Sequence, residues 1–479
     1  MSEIDRRNFV KASAGTAAAF SGISFITNPE RVFGANDRIR VGVCGVRGRG
    51  WDHIRGFAKL PNVEVAAICD PDENVVKDRL TASAPNRSWE TTKETTGKPK
   101  PTVHVDMRKC LADKNIDAIS IASPNHWHSL QAIWGLQAGK DVYCEKPCSH
   151  NLWEGQQLVA ASKKYSKQII YHGSQSRSSA SVLEAMQKMK EGLIGDVYMA
   201  KGLCYKWRDS IKKMPEEKVP AGVNYDLWTG PAPLKSFTQN RFHYNWHWIW
   251  DTGNGDIGNQ GIHELDKARW GLGVDYPVKV SAIGGHFMFD DDQETPNTLN
   301  ATFEFRTPEG KKKMMVFEVR HWMSNHEAEI GAPNFGEEEP FVPAAGAQAP
   351  PKKGRQRPPD PNTIGNIYYG SKGYLAIAVY SAYKSWIGKE QEPGPSKRGG
   401  GDHYASFIDC VRSRDHSKIA APIEEGHKSS TLIHLANASY LLGRTLNFDP
   451  ATQKVVGDPE AAKLLRGSYR KGYEVPEKV

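Results

Sequence analysis

Ile39-Arg40-Val41-Gly42-Val43-Cys44-Gly45-Val46-Arg47-Gly48-Arg49-Gly50-Trp51 is the stretch on which the fold of this chain turns. An apolar strand over Ile39–Cys44 runs into glycines at 45, 48 and 50, and apolar residues then recur at helical spacing from Trp51 to Leu60. Strand, glycine turn and helix in that order offer backbone N–H groups and a helix N-terminus to a pyrophosphate, as a dinucleotide-binding unit does. Arg47 replaces the second glycine of G-x-G-x-x-G, the one that lets the backbone approach the phosphates closely. Val63–Cys69 reads as the next strand, and Asp70 stands at its end, 25 positions after Gly45. A carboxylate there accepts hydrogen bonds from both adenosine ribose hydroxyls and repels a 2′-phosphate, so NAD is expected ahead of NADP.

Further strands are read at Thr102–Val105, Ala118–Ala122, Asp141–Glu145 and Gln168–His172, with helices at Met107–Ala112, Ser129–Ala138 and Trp153–Tyr165 between them. Six strands with intervening helices make a doubly wound parallel sheet. Past residue 175 come one helix, Ser181–Glu191, and longer β-type runs at Val278–Phe289, Thr298–Phe305 and Lys313–Arg320. The expected fold class is α/β: a Rossmann domain over 36–175, then an α+β domain over 176–445 with a large, open, mostly antiparallel sheet. Residues 331–362, rich in Pro, Ala, Gly and charge, are read as a mobile insertion, and 446–479 as a C-terminal tail.

The 479 residues exceed one ordinary core, and 39% apolar against 25% charged residues describes a globular chain. No apolar run reaches membrane-spanning length, so no membrane anchor is expected. A net charge of +8, from 63 basic and 55 acidic residues spread along the chain, does not point to nucleic acid. Seven cysteines, several in apolar runs, read as buried free thiols. Arg6-Arg7-Asn8-Phe9-Val10-Lys11 before the weakly apolar Ala12–Ile26 resembles a twin-arginine export signal, making 1–35 a signal segment and the expected location periplasmic or otherwise extracytoplasmic.

Gly45–Gly50, Asp70, Ser123-Pro124-Asn125-His126-Trp127-His128, Ala138-Gly139-Lys140, Glu145-Lys146-Pro147, Gly192–Gly195, Gly261-Ile262-His263-Glu264-Leu265-Asp266 and Gly370-Ser371-Lys372-Gly373 appear in this order. Together they resemble the Gfo/Idh/MocA oxidoreductases, named for glucose-fructose oxidoreductase and inositol dehydrogenase, and in particular their secreted bacterial branch. The resemblance implies an NAD(P)-dependent enzyme whose cofactor contacts are Gly45, Arg47, Gly48, Gly50, Asp70, Ser123, Pro124, Asn125, His128, Glu145 and Lys146. It makes Lys146 the lysine at the nicotinamide and the reacting hydroxyl, with Glu145 orienting it or approaching the ribose. It also implies a homo-oligomer formed through the C-terminal sheet.

Oxidising a secondary alcohol requires a hydride acceptor, a group that takes the hydroxyl proton, and positive charge beside the developing alkoxide. If the segment is one helix, Asp256, Asn259, His263 and Asp266 share a stripe. The family pattern has Asp where Asn259 stands, and an amide cannot accept a proton in catalysis. His263 is therefore the expected base, with Lys146 as partner and Asp256 as a displaced carboxylate. The aromatic run Arg241–Trp250 is read either as a sugar-binding wall or as a core plug. Substrate contacts are assigned to Arg177, Tyr205, His243, Trp246, His247 and Asp266. No ligand spacing calls for a metal. The expectation is an oxidoreductase acting on a CH–OH group of a sugar, polyol or glycoside with a tightly bound, internally recycled cofactor. The alternatives are a redox-neutral glycosidase, lyase or epimerase, and a non-catalytic NAD-binding sensor or interaction protein.

Overall fold

The computed structural model describes residues 38–332, 335–337 and 362–479. Residues 1–35, read as a signal segment, and most of the 331–362 stretch, read as an insertion, lie outside the described residues. From Ile39 onward the chain is one compact unit built on two sheets.

The first sheet comprises β1 (Ile39–Cys44), β2 (Val63–Cys69), β3 (Thr102–His104), β4 (Ala118–Ile121), β5 (Asp141–Cys144) and β6 (Ile170–His172), in the order β3-β2-β1-β4-β5-β6. Every pairing is parallel. Helices α1 (Arg49–Ala58), α2 (Glu73–Thr81), α3 (Met107–Ala112), α4 (Asn125–Gln137) and α5 (Leu152–Lys164) connect the strands. Strand order reverses between β1 and β4, and the carboxyl ends there form the crevice in which doubly wound sheets bind ligands. Gly45 makes the turn at φ +77, and a Cβ on Gly50 would sit 1.6 Å from the Gly45 carbonyl oxygen. The glycine pattern is therefore a packing requirement of the turn.

After α6 (Ala180–Lys190), the second sheet is assembled around β7 (Val197–Tyr205). Beside it lie β8 (Lys279–Gly285), β9 (Thr298–Arg306), β10 (Lys312–Arg320), β11 (Thr363–Gly370), β12 (Gly373–Ala378) and β13 (Ala382–Ile387). All their pairings are antiparallel except β7 with β10. Alternation sets the two faces: Leu299, Ala301, Phe303 and Phe305 point into the core, while Asn300 and Thr302 point out. A short α7 (Tyr225–Thr229), then α8 (Gly255–Asn259) and α9 (Gly261–Leu272), precede β8. The single helix expected through Asp256–Asp266 is thus two, meeting at Gln260 (φ −99, ψ −46).

Two features depart from the linear division into domains. Helix α10 (His403–Ser413) returns to the first sheet, where Tyr404, Phe407 and Ile408 join the core of Ile39, Val43 and Phe57. The segment read as a tail is folded: α11 (Ile423–Leu442) leads to α12 (Pro459–Arg466), and Tyr473 and Val475 pack with Trp127, Leu130 and Ile119. Apolar residues spaced through a loop carry no periodicity, which is why the sequence alone did not reveal this packing. All seven cysteines are free and buried.

Because Gly50 has no room for a side chain, Gly50→Ala should cost about 1–3 kcal/mol or more. The check is the urea midpoint, which should fall with the slope unchanged.

Candidate active site

A cleft of about 350 Å³ lies along the carboxyl ends of the first sheet. Gly45, Arg47, Gly48, Asp70, Ser123, Pro124, Asn125, His128, Glu145 and Lys146 line one side; His243, Trp246, His247 and Asn259 line the other. Gly50 is the one assigned cofactor residue outside the lining, and it acts through the turn it packs beneath.

The dinucleotide end is built from backbone. Gly48 caps α1 without any side-chain cap, and the space where its Cβ would point is open. The first N–H groups of α1 are thus left for an anion. The Asp70 carboxylate accepts from the Val46 N–H at 2.9 Å and the Asp72 N–H at 3.0 Å, and burial pushes it up to about 6. These groups suit a dinucleotide, with the pyrophosphate at Gly48 and the adenosine ribose at Asp70. His128 lies 2.7 Å from the Ser123 carbonyl and 2.6 Å from that of Pro147. It therefore joins the Ser123–Asn125 loop to the Lys146–Pro147 turn.

At the other end Lys146 Nζ donates to the Asn259 carbonyl at 2.6 Å. Burial pushes its ammonium down to about 8 against the pull of Glu145, with Arg49 and Lys206 pushing the same way as burial. Burial also penalises the Glu145 carboxylate, but Arg49, His53 and Lys146 together hold it well below the usual range. Arg49 Nε donates to it at 2.7 Å and the Lys146 N–H at 3.0 Å.

His263 is buried with its ring edge-on to Tyr380 at 4.9 Å, and burial, with Lys146 nearby, pushes it well below its ordinary value. His247 stacks on Trp246 at 3.6 Å and has Nδ1 2.5 Å from the Tyr244 carbonyl. Burial pushes it down to about 3, and Lys146 and Arg208 contribute. With Nδ1 donating to that carbonyl, Nε2 is left as the acceptor. Both rings are neutral near pH 7. The same downward shift makes each ring a weak proton acceptor, so His263, expected from sequence to be the base, is poorly suited to that role, and His247 stays a residue of the cleft lining.

Asp256 is not available as a base. Arg208 holds it bidentately at 2.6 and 3.0 Å, His321 approaches at 2.8 Å, and Asn259 donates from its amide at 3.1 Å. Burial penalises this carboxylate too, and Arg208 and His321 overcome the penalty, so it stays ionised and fully paired.

Three assigned substrate residues point elsewhere. Asp266 is buried against Arg177 at 2.8 and 2.9 Å and accepts from Ser429 at 2.7 Å, so both members of the pair belong to the core between helices. Tyr205 faces the outer side of the second sheet, donating to Glu318 at 2.7 Å beneath Arg320. Strand alternation decides this, because the neighbours Lys206 and Arg208 point inward to Gln260 and Asp256. The aromatic run divides. Trp246 lines the cleft and Trp248 is core, packed under Arg208 and beside His321, whereas Trp250 lies near Tyr440.

Sequence reasoning placed Lys206 and Arg208 on a strand-like segment that could face the site, but missed Arg49, His321 and Tyr380. Only Arg49 carried a signal, its place inside the glycine turn; the others come from chain positions that only the second sheet brings together.

Fold and cleft together define an oxidoreductase of the NAD-binding Rossmann type. Residues 39–172 match the Gfo/Idh/MocA oxidoreductase family, NAD-binding Rossmann fold, and residues 183–295 and 369–475 match its C-terminal alpha/beta domain. The chain belongs to the Gfo/Idh/MocA oxidoreductase family. It is 30% identical over 187 residues to a glycosyl hydrolase family 109 protein of Shewanella putrefaciens, a match spanning 35% of this chain and 39% of that one. In fold it is similar to the aldose-aldose oxidoreductase of Caulobacter crescentus, with a TM-score of 0.59 at 17% identity over 86% of this chain and 100% of that one. It is also similar to the scyllo-inositol dehydrogenase of Lactobacillus casei with bound NAD(H) and scyllo-inositol, with a TM-score of 0.56 at 15% identity over 86% and 99%.

Asp256→Asn leaves the Arg208 guanidinium buried without its counter-charge, at an expected cost of about 3–5 kcal/mol. Urea denaturation measures the loss, and Asn259→Ala, which removes one neutral donor, should cost about 1 kcal/mol by the same measurement.

Proposed function

We propose that this chain is an NAD-dependent oxidoreductase acting on a secondary hydroxyl of a sugar, polyol or glycoside, exported with its cofactor and recycling it in place. The observation that carries the reading is Lys146. Its buried amine stands at the end of β5 on the Asn259 carbonyl, in the same cleft as the glycine turn and Asp70. A nicotinamide dinucleotide bound there supplies a reversible hydride acceptor. The chain's own residues do the rest: Lys146 takes the hydroxyl proton, and Arg49 and Lys206 stabilise negative charge on the alkoxide. Asp70 favours NAD over NADP by accepting from the ribose hydroxyls.

Retention is supported by the way residues 206–252 cross the cleft. Asn224 N–H donates to the Pro71 carbonyl at 2.8 Å, and Glu73 N–H to the Gly222 carbonyl at 2.9 Å. His243, with φ +47, sits 3.1 Å from the Asp72 carboxylate. Three ties, to Pro71, Asp72 and Glu73 just after Asp70, hold this segment across the adenosine end. Assembly into a homo-oligomer through the outer face of the second sheet, where Ile283 and Met314 are exposed, belongs to the same proposal.

Likeness to a glycosyl hydrolase family 109 protein favours one second reading, in which a sugar carbon is oxidised transiently, the neighbouring bond breaks, and the hydride returns.

Protein purified from the exported fraction should contain bound nicotinamide with none added. In a panel of sugars and glycosides, a donor alone should give about one turnover, and donor plus acceptor many. Lys146→Ala should lower kcat by about 10²–10⁴. Since the free amine is the acting form, kcat/KM should rise through about pH 8 and level off above it, a limb absent in the variant. Apo protein, or strict dependence on added NAD, would overturn cofactor retention; no hydride exchange with any sugar would overturn the oxidoreductase reading. Cleavage of a glycoside with NAD unchanged would select the second reading.

A further inference from the structure

A second cavity, of about 300 Å³, shares no lining residue with the cofactor cleft and is of a size that small-molecule sites begin at. Helix α11 turns one face into it, with His434, Asn437, Ala438 and Leu441 at helical spacing. Trp250 supplies an aromatic wall, and Glu154 also lines the cavity.

Two amide groups in this cavity are incomplete. Asn254 and Asn437 are each 5% exposed. Asn437 spends its NH₂ on the Asn254 carbonyl at 3.2 Å, which leaves its Oδ1 without a partner; Asn254 Nδ2 has none either. A buried donor and a buried acceptor left open in one cavity are destabilising unless something fills them. A hydroxyl group, being donor and acceptor at once, is the group whose chemistry matches the pair.

The surroundings carry no net charge to attract an ion. His434 Nε2 is 2.9 Å from Ser149 Oγ, His150 Nε2 is 3.2 Å from the Gly253 carbonyl, and burial pushes both rings below their ordinary values. Burial also pushes Glu154 up to about 8, so it is uncharged near neutral pH. Asp251 is balanced by Lys235 at 2.5 Å and Arg241 at 3.6 Å.

We propose that this cavity is a binding site for a neutral polyhydroxylated molecule, a sugar or cyclic polyol, held by a hydroxyl on Asn254 Nδ2 and Asn437 Oδ1 against the Trp250 wall. It is distinct from the site of hydride transfer and does not depend on the reading of that site.

The test uses the full chain with cellobiose and myo-inositol as probes. Crystals soaked with each should show a ring in this cavity with a hydroxyl on both amide atoms. Titration calorimetry should give a Kd raised at least about tenfold by Asn437→Leu. Ser468→Trp, which fills the mouth from an exposed rim position, should raise it as much and decides the matter if Asn437→Leu fails to fold. Water alone on the two amides in soaked crystals overturns the proposal. So does density at crystal concentration without solution binding, or a solution affinity that both folded variants leave unchanged.

Discussion

A carboxylate buried under the end of a parallel sheet must be neutralised where it stands, and Glu145 is that carboxylate. Its two oxygens receive Arg49 Nε, the His53 ring and the Lys146 N–H. Those groups come from the glycine turn, from the middle of α1 and from the residue after Glu145 itself. One anion therefore fixes the entry of α1, the orientation of β5's end and the start of the Lys146 side chain together. Removing one partner of such a buried pair is strongly destabilising, because the charge left behind keeps its desolvation penalty. The start of the Lys146 side chain is thus secured by an interaction that leaves its amine free of Glu145.

Asp256 plays the corresponding part on the other side of the cleft, paired with Arg208 from the strand end and His321 from the end of β10. Lys146 spans the two: its backbone is tied to Glu145 and its amine to the carbonyl of Asn259, whose side chain donates to Asp256. Four cationic side chains, Arg49, Lys146, Lys206 and Arg208, surround two carboxylates, Glu145 and Asp256. Burial is what lowers the ammonium of Lys146; Glu145 opposes the shift, and Arg49 and Lys206 reinforce it.

The first sheet and its cleft were legible because their signals are local: a strand ending in glycines, a carboxylate at the next strand's end, a Glu-Lys-Pro turn. Each places a residue relative to its own strand, and the parallel sheet then gathers the strand ends in one crevice. The residues that went astray depend on long-range context. Tyr205 and Arg208 are separated by three positions, an odd number, so they occupy opposite faces of the extended strand, and only the position of α9 says which face is inside. Asp256 and Asp266 looked equivalent on a helical stripe, but the break at Gln260 and the partners Arg208 and Arg177 assign them to different environments. Nothing near Tyr404 or Tyr473 in sequence announces that they pack on the first sheet.

The amide at position 259, a departure from the family pattern, follows from the carboxylate at 256. Their side chains meet at 3.1 Å, with Asn259 Nδ2 donating to Asp256 Oδ1. An aspartate there would set a second carboxylate at hydrogen-bonding distance from one already ionised, and two such groups cannot both stay charged. One would hold a proton near neutral pH, and Arg208 and His321 would keep Asp256 the charged member. The amide takes the place of that neutral, donating acid without its proton equilibrium. Of the titratable groups near Asn259, Lys146, pushed down to about 8, is the one whose titration lies within reach of physiological pH, whereas the rings of His247 and His263 are held below their ordinary value. The amide at 259 thus leaves both buried anions in place, Asp256 beside it and Glu145, which ties the Lys146 backbone.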